Sequence, residues 1–521
     1  MKKAKTKRVA PEGDAPAAGA AAEPRVPPLR DPAGRALFLV TIGLIGLRIA
    51  AMRSVGFGDS EALYASYALH PAPAYLDHPG LIANLASLLG EGGAPTPARA
   101  HAFTAAIASL VPWMVYVVAR TAGAAFRPAT FAALAIAAAP EIAIGLFAMT
   151  PDVLLAPLWL ATLGAAITAL RSRPGDVRAS TAWIVAGLLA GTAGAAKVSG
   201  LLLPVAIVAT LAAPPGRPHA RTPWPWAGLA LGAVVLAPIV LFEVRTGAPL
   251  LRHRLVDSQA GAGLSLRNLG ALVGGQLAYV SPLLLALAFL AARALFRRWF
   301  RDPIDTFLFF ATAIPVVVLV PLMLWSRVAE PHWLAPAFLA LPIAAARPPA
   351  LTPLRWLYVS GVALGLAATV FVHAWVLVPD AFKFARPADT RLDISNELFG
   401  WDEAERTVRE LLASQPSASE VVVVGPHWTV CAQIHARLGA GVRVGCMTKI
   451  RDDFDDWLPR ASWQKAEKIL YVSDNRFEED PTKVFPDRAA SRRARASVFR
   501  GGRLARTFTM TLFEGAAHAA R

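Results

Sequence analysis

The stretch IDTFLFFATAIPVVVLVPLMLW at residues 304–325 is almost wholly apolar, with Asp305 as its only charged residue. A run of about 20 apolar residues is long enough to cross a bilayer as an α-helix. Similar runs recur along the chain, and each must be helical because lipid cannot satisfy free backbone groups. We therefore predict a polytopic α-helical membrane protein with about eleven transmembrane helices, at residues 36–52, 100–119, 128–148, 153–170, 179–196, 198–213, 224–243, 270–292, 304–325, 333–347 and 356–378.

The composition agrees with a membrane protein and explains the basic charge. Of 521 residues, 55% are hydrophobic and 17% are charged, against about 25% charged residues in soluble domains. The net charge of +16 would suggest nucleic-acid binding in a soluble chain. Here the basic residues lie ahead of the first span and in alternate short loops, which is the positive-inside pattern. We therefore expect no nucleic-acid partner, a multi-pass protein of the inner (plasma) membrane and a cytoplasmic N-terminus.

Three regions differ in composition. Residues 1–35 are rich in Ala, Pro and charge, and we predict a disordered basic cytoplasmic tail. Residues 36–379 are predicted to form the transmembrane domain, with residues 53–99 as its first external loop. Residues 380–521 are predicted to form a small soluble extracytoplasmic (periplasmic) α/β domain, because short strands such as VVVVG at 421–425 alternate with helical segments.

Both cysteines, Cys431 and Cys446, fall in the predicted external domain. An oxidising compartment allows a disulfide between them. Two buried free thiols are the alternative, and the spacing matches no metal-ligand motif.

The first external loop contains the tract FGDSEALYASYALHPAPAYLDHPG at residues 57–80. Carboxylates this close to a membrane span are costly unless they have a function. Asp59 and Glu61 are the candidate catalytic residues, because a carboxylate can deprotonate an acceptor hydroxyl or amine. The alternative for Asp59 is a helix cap. The segments 59–70 and 80–90 are predicted to be helices that lie on the membrane surface.

Further polar residues in the predicted external loops form a candidate substrate-binding set. Basic side chains there suit a phosphate or pyrophosphate head group, whereas snorkelling to the interface and helix capping are the alternatives. A divalent cation is one possible cofactor, with Asp59 and Asp152 as candidate ligands, and the sequence requires no other cofactor. The candidate substrate-binding residues are Asp77, His78, Asp152, Lys197, Arg254, Arg327 and His332.

Taken together, these motifs resemble the polyprenyl-phosphate-sugar-dependent glycosyltransferases of the GT-C superfamily. The similar branch contains the protein O-mannosyltransferases and the lipid A aminoarabinose transferases (glycosyltransferase family 39). That branch carries Asp-Glu-Ala-Tyr-Tyr and then Tyr-Phe-Asp-His-Pro-Pro. The matching text here is SEALY at 60–64, YLDHPG at 75–80, MTPD at 149–152, AKVSGLLLP at 196–204, GGQLAYVSPLLL at 274–285, EPHWLAPAFLALP at 330–342 and GWDEAERTVRELL at 400–412.

Two departures from the family pattern concern its functional residues. The aspartate that precedes the family's glutamate is replaced by Ser60, and Asp59 lies one residue earlier. His78 stands where the lipid A enzymes carry a lysine. A neutral histidine binds a phosphate less strongly than a lysine does.

The resemblance implies an inverting transfer of a sugar from a polyprenyl-phosphate donor to an extracytoplasmic lipid, glycan or protein. In such a reaction Asp59 or Glu61 activates the acceptor, and Lys197 and Arg327 stabilise the leaving phosphate. A lipid-linked sugar flippase or transporter is the alternative, and it predicts charged residues in the middle of several spans. Glu141 is one such residue.

Overall fold

The computed structural model describes residues 28–328, 330–348, 350, 354–477 and 479–515. Most of the predicted tail at 1–35 therefore lies outside the described residues. The described chain consists of a helical bundle followed by an α/β domain. The bundle helices are α1 (Pro32–Met52), α2 (Asp59–Tyr67), α3 (Leu81–Leu89), α4 (Pro97–Thr121), α5 (Phe126–Ala138), α6 (Pro140–Ala143), α7 (Pro151–Arg171), α8 (Val177–Ala196), α9 (Leu202–Ala212), α10 (Arg217–Ala220), α11 (Trp224–Thr246), α12 (Pro249–Leu255), α13 (Leu266–Tyr279), α14 (Pro282–Phe296), α15 (Pro303–Trp325), α16 (Ala335–Ala346) and α17 (Arg355–Leu377).

The predicted membrane-spanning helices are confirmed, but not the number of eleven. Within the described residues, seven straight helices are long and apolar enough to span, or ten if each bent pair counts as one span. The prediction of one continuous span at 270–292 is wrong, because α13 and α14 meet at 101°. Pro282 begins α14, and a proline cannot continue the preceding helix. Pro140 begins α6 after a similar bend of 69°.

Close helix packing inside the bundle depends on glycine. Gly187 and Gly191 of α8 lie against Gly228 and Gly232 of α11. A Cβ atom on Gly187 would lie 2.0 Å from the backbone carbon of Gly228. Small residues at a spacing of four allow two membrane helices to approach this closely.

The α/β domain is built on a five-stranded sheet within the described residues, in the order β2-β1-β3-β5-β4. Strands β2, β1 and β3 are parallel, and β5 runs antiparallel to both β3 and β4. The predicted VVVVG strand is buried along its whole length, as expected for a parallel strand covered on both faces. The elements are α18 (Trp401–Ala413), β1 (Val421–Gly425), α19 (Trp428–Leu438), β2 (Val444–Cys446), α20 (Asp453–Trp457), α21 (Arg460–Trp463), β3 (Lys468–Asp474), α22 (Pro481–Val484), β4 (Ala489–Arg500) and β5 (Arg503–Glu514).

Of the two alternatives for the cysteines, the structure contains the disulfide. Cys431 on α19 is bonded to Cys446 at the end of β2, with their Cα atoms 6.0 Å apart. The bond ties the first turn of α19 to the neighbouring strand.

The first external loop packs against the α/β domain, so both lie at the same end of the bundle. Gln433 of α19 donates to the carbonyl of Phe57 at 2.7 Å, and the Ser66 hydroxyl donates to the carbonyl of Ala432 at 3.2 Å. Nearly every residue of α2 is buried. The prediction that α2 lies on the membrane surface is therefore wrong, because α19 covers the helix instead of lipid.

Candidate functional site

A cavity of about 470 Å³ lies where the bundle, the first external loop and the α/β domain meet. Its walls come from chain segments that are far apart in sequence. From the bundle side the polar lining residues are Ser60, Tyr64, Asp77, His78, Glu141, Asp152, His253, Arg254, Tyr279, Glu330 and His332. From the α/β domain they are His427, Trp428, Thr448, Arg451, Asp452 and Asp453.

Asp152 forms the polar floor of the cavity together with two basic side chains. It lies in the first turn of α7, and the Lys197 Nζ donates to both of its carboxylate oxygens at 2.8 Å. His332 Nε2 lies 3.7 Å from Asp152 Oδ2, and Glu330 is paired with the other nitrogen of His332 at 3.3 Å. Lys197 itself does not line the cavity. It neutralises Asp152 from the side of that carboxylate that faces away from the cavity.

A second charged group joins the first loop to α12. Arg254 Nη2 lies 3.3 Å from Asp77 Oδ1, and Arg254 Nε donates to the Asp77 carbonyl at 3.0 Å. His253 Nε2 lies 3.7 Å from the same carboxylate oxygen. Asp77 is therefore held by Arg254 and His253.

His78 is buried between these two groups. Its Nε2 lies 3.3 Å from Arg254 Nη2, and its buried Nδ1 has no hydrogen-bond partner in the part of the chain that the structure describes. Burial lowers the pKa of His78 well below its usual value, and the charges of Arg254, Lys197 and His332 lower this pKa further. A neutral imidazole thus lies at the point where three basic side chains converge.

The predicted catalytic carboxylates do not line the cavity. Asp59 accepts from Arg476 Nη1 at 2.5 Å, and Arg476 also binds Asp474 of β3. Glu61 accepts from the backbone N–H groups of Gly58 at 2.9 Å and Met149 at 2.7 Å. Successive helical residues point about 100° apart, so it is Ser60, between the two carboxylates, that faces the cavity.

Glu61 also accepts from His101 Nε2 at 3.0 Å, which completes its set of partners. Both carboxylates therefore hold the first loop in place through several bonds. Their catalytic role remains a prediction.

Arg327, a predicted phosphate ligand, does not line the cavity either. Its guanidinium donates to the carbonyl of Ala260 at 3.0 Å, and its side chain is exposed. Arg254 of α12 and Arg451 of the α/β domain are the arginines that line the cavity.

The candidate metal ligands do not form a metal site. Asp59 is paired with Arg476 and Asp152 with Lys197. Within the described residues, no three His, Cys, Asp or Glu side chains are grouped so that they could hold a metal ion. The donor set therefore does not fit a divalent cation.

The sequence-based prediction missed the cavity residues of the α/β domain. Trp428 begins α19, and Asp452 and Asp453 lie at the start of α20. The acidic run DDFDDW at 452–457 was the available signal, since it follows the buried strand β2 after a five-residue loop. Asp453 accepts hydrogen bonds from the Tyr67 hydroxyl at 2.9 Å and from the Leu76 N–H at 3.0 Å. It therefore joins the α/β domain to the first external loop at the cavity.

A smaller and almost wholly apolar cavity lies next to the first one, among the bundle helices. It is lined by residues of α5, α14 and α16 and by Tyr358 of α17. The two cavities share four lining residues, namely Glu141, Ile142, Ala335 and Leu339. A small apolar cavity of about 60 Å³ therefore adjoins the charged cavity from within the bundle.

Comparisons with known proteins agree with this architecture. A family model described as dolichyl-phosphate-mannose-protein mannosyltransferase matches residues 81–242. No curated protein sequence matches the chain.

Among solved structures, ArnT from Cupriavidus metallidurans in the apo state has a TM-score of 0.61 at 16% identity, covering 92% of this chain and 98% of ArnT. The same protein bound to undecaprenyl phosphate has a TM-score of 0.59 at 15% identity, with the same coverage. The oligosaccharyltransferase of Archaeoglobus fulgidus has a TM-score of 0.51 at 12% identity, covering 84% of this chain and 67% of that protein. The predicted likeness to these glycosyltransferases is thereby confirmed for the fold, since the chain has the fold of ArnT.

Proposed function

We propose that this protein is a membrane glycosyltransferase that moves a sugar from a polyprenyl-phosphate-linked donor to an extracytoplasmic acceptor, with inversion. The observation that carries this proposal is the charged cavity at the end of the bundle, where basic side chains surround His78 beside a small apolar cavity. A lipid phosphate has matching chemistry, with an anionic head on an apolar chain. The undecaprenyl phosphate bound to ArnT of the same fold supports this donor class.

In the proposed complex the donor phosphate lies against Arg254 and His332, and the start of the isoprenoid chain lies at the small apolar cavity that adjoins the charged one. Arginine binds phosphate through two parallel hydrogen bonds. Lys197 would keep Asp152 neutralised, so that this carboxylate does not repel the phosphate. The phosphate contact predicted for Arg327 is not part of the proposal, because its side chain lies outside the cavity.

In the proposed reaction an acceptor oxygen or nitrogen attacks the anomeric carbon on the face opposite the phosphate. The bond from that carbon to the phosphate oxygen breaks, and the electron pair leaves on the phosphate. Preorganised positive charge stabilises the phosphate as it leaves. The acceptor proton passes to a carboxylate of the cavity, for which we propose Asp77, because one third of its side chain is exposed and it lines the cavity.

The proposed location is the inner membrane, with a cytoplasmic N-terminus and the α/β domain outside. The positive-inside distribution of the basic loops supports this orientation. The lipid, glycan or protein nature of the acceptor belongs to the same proposal and is what the assay below identifies.

The flippase alternative is not favoured. A transporter places its charged substrate groups in the middle of several spans. In this protein the charged lining residues lie at helix ends and in loops, apart from Glu141 in the short helix α6.

The proposal is tested by a transfer assay with the full chain in lipid nanodiscs. Labelled polyprenyl-phosphate sugars are mixed with lipid, glycan and peptide acceptors. The matched pair of variants is Arg254→Gln, inside the cavity, and Arg327→Gln, outside it.

We expect wild type and Arg327→Gln to transfer the label, and Arg254→Gln to require at least about tenfold more donor, which corresponds to one lost charged hydrogen bond. Failure of wild type to release label from any donor of the panel would contradict the proposed function. Equal effects of the two substitutions would contradict the proposed phosphate site.

A further inference from the structure

The α/β domain closes the cavity with the two segments that follow β1 and β2. These strands are parallel, so their carboxyl ends lie at the same edge of the sheet. The crevice outside the carboxyl ends of parallel strands is the usual ligand position in α/β folds. His427 and Trp428 follow β1, and the segment from Thr448 to Asp453 follows β2; both contribute lining residues.

These two segments form one connected wall. The Trp428 N–H donates to the Thr448 hydroxyl oxygen at 2.7 Å. The Cys431–Cys446 disulfide joins the same two segments a few residues away. The backbone of Trp428 is therefore held in a fixed place relative to the segment that carries Asp452.

Asp452 presents one unused oxygen in this wall. Its Oδ1 accepts from the Phe454 N–H at 3.0 Å and so caps α20. Its Oδ2 is buried and makes no hydrogen bond of normal geometry in the part of the chain that the structure describes, although the Thr448 hydroxyl lies near enough to the carboxylate to lower the pKa of Asp452. Burial raises the pKa of Asp452 to about 6.

The neighbouring Asp453 differs, since Tyr67 and Leu76 satisfy both of its oxygens. A buried acceptor without a partner is unfavourable unless a ligand supplies the donor.

We propose that Trp428 and Asp452 recognise the sugar ring that this enzyme handles. The indole stacks on the apolar face of the ring, and Asp452 Oδ2 accepts a hydrogen bond from a hydroxyl or amino group of that ring. An aromatic ring beside a fixed acceptor suits a ligand with C–H groups on its face and donors on its edge. This inference rests on the proposed function and names the sugar-recognition residues of its site.

The ring can belong to the donor or to a sugar-containing acceptor, and the experiment separates the two sources. The full chain in nanodiscs is compared with Trp428→Ala and Asp452→Asn. The matched control is Asp480→Asn, because Asp480 caps α22 in the same domain but is exposed and outside the cavity. Three quantities are measured: the affinity for undecaprenyl phosphate alone, the affinity for undecaprenyl-phosphate sugar, and the KM for a sugar acceptor.

We expect both cavity variants to bind undecaprenyl phosphate as wild type does. If the ring belongs to the donor, their affinity for the sugar-loaded lipid falls by about tenfold or more, as for one lost hydrogen bond to a charged group. If it belongs to the acceptor, the acceptor KM rises by a similar factor. Asp480→Asn leaves all three quantities unchanged.

Two results would overturn the inference while leaving the proposed function intact. One is that wild type transfers sugar and the cavity variants match it in all three quantities. The other is that the variants lose affinity for the carrier phosphate and the sugar-loaded lipid equally. Wild type that binds neither lipid and transfers nothing would overturn the proposed function and this inference together.

Discussion

Asp59→Asn decides between two roles for Asp59. The sequence suggests a catalytic base, whereas its position in the structure suggests that it holds the α/β domain against the first loop. Asp59 is 7% exposed and bonded to Arg476, which belongs to the α/β domain. We expect the substitution to weaken the docking of that domain on the first loop. We expect sugar transfer to change little, because Asp59 does not line the cavity.

The magnitude follows from what the carboxylate loses. A hydrogen bond to a charged group contributes about 1.5–3 kcal/mol, and a carboxylate in the first turn of a helix such as α2 contributes about 0.3–1 kcal/mol more. Arg476 keeps Asp474 as a partner, which limits the loss. We therefore expect a destabilisation of about 2–3 kcal/mol. A lost general base instead reduces the rate about 10²–10⁴-fold.

The assay compares the melting temperature of the purified protein with its kcat/KM for transfer, measured well below that temperature. Asp59→Asn should melt earlier than wild type and keep kcat/KM within a few fold. Arg476→Met should lose at least as much stability, because it removes a partner of Asp474 as well. The double variant should lose less than the sum of the two, since the two residues share one interaction. An unchanged melting temperature with a hundredfold fall in kcat/KM would refute the structural role and assign Asp59 as the base.

Three further predictions concern stability. Lys197→Met should lower the melting temperature, because the Asp152 carboxylate left without its cation costs about 3 kcal/mol. Adding Asp152→Asn should restore most of that loss. A double variant as unstable as Lys197→Met would contradict this pairing. Burial raises the pKa of Asp453 to about 7, above its unfolded value of about 4, so stability should fall as pH rises from about 4 to 7. Melting curves of Asp453→Asn should show a shallower slope, since Asp452, whose pKa burial also raises, to about 6, still contributes. A slope identical to that of wild type would exclude Asp453 as a source. Cys431→Ser removes the disulfide to Cys446, which spans 15 residues, and should lower the free energy of unfolding by about 3 kcal/mol. The melting temperature of wild type should fall when reductant is added, whereas that of the variant should not change.

Part of the candidate site could be predicted from single motifs. Asp77, His78, Asp152, Arg254 and His332 were singled out as polar residues in loops between apolar spans, and all five line the cavity. This succeeded because a polar loop residue at a membrane boundary stays at that boundary whatever the helix packing. The local sequence pattern is enough to predict the position of such a residue, because the only other position would be inside the lipid.

Other parts could not be predicted because long-range packing decides them. Strand β4 carries SRRARASVFR, in which exposed arginines are frequent and the inward positions hold only Ala494, Ala496 and Val498. It is a strand only because β5 offers it a hydrogen-bonding edge. The wall formed by Trp428 and Asp452 belongs to the cavity only because α19 packs on α2, more than 300 residues away in sequence.

The sequence by itself determined that this chain is a membrane protein of spanning helices with an α/β domain, because span length and strand burial are local consequences of apolar runs. Only the tertiary structure decided which side chains of α2 bind other parts of the protein and which one faces the cavity. Asp59, Ser60 and Glu61 are adjacent in sequence. Asp59 accepts a hydrogen bond from Arg476, and Glu61 accepts one from the backbone N–H of Met149. Only Ser60 of the three faces the cavity. A helix turns its residues in different directions, and the partner that each direction meets comes from a distant part of the chain.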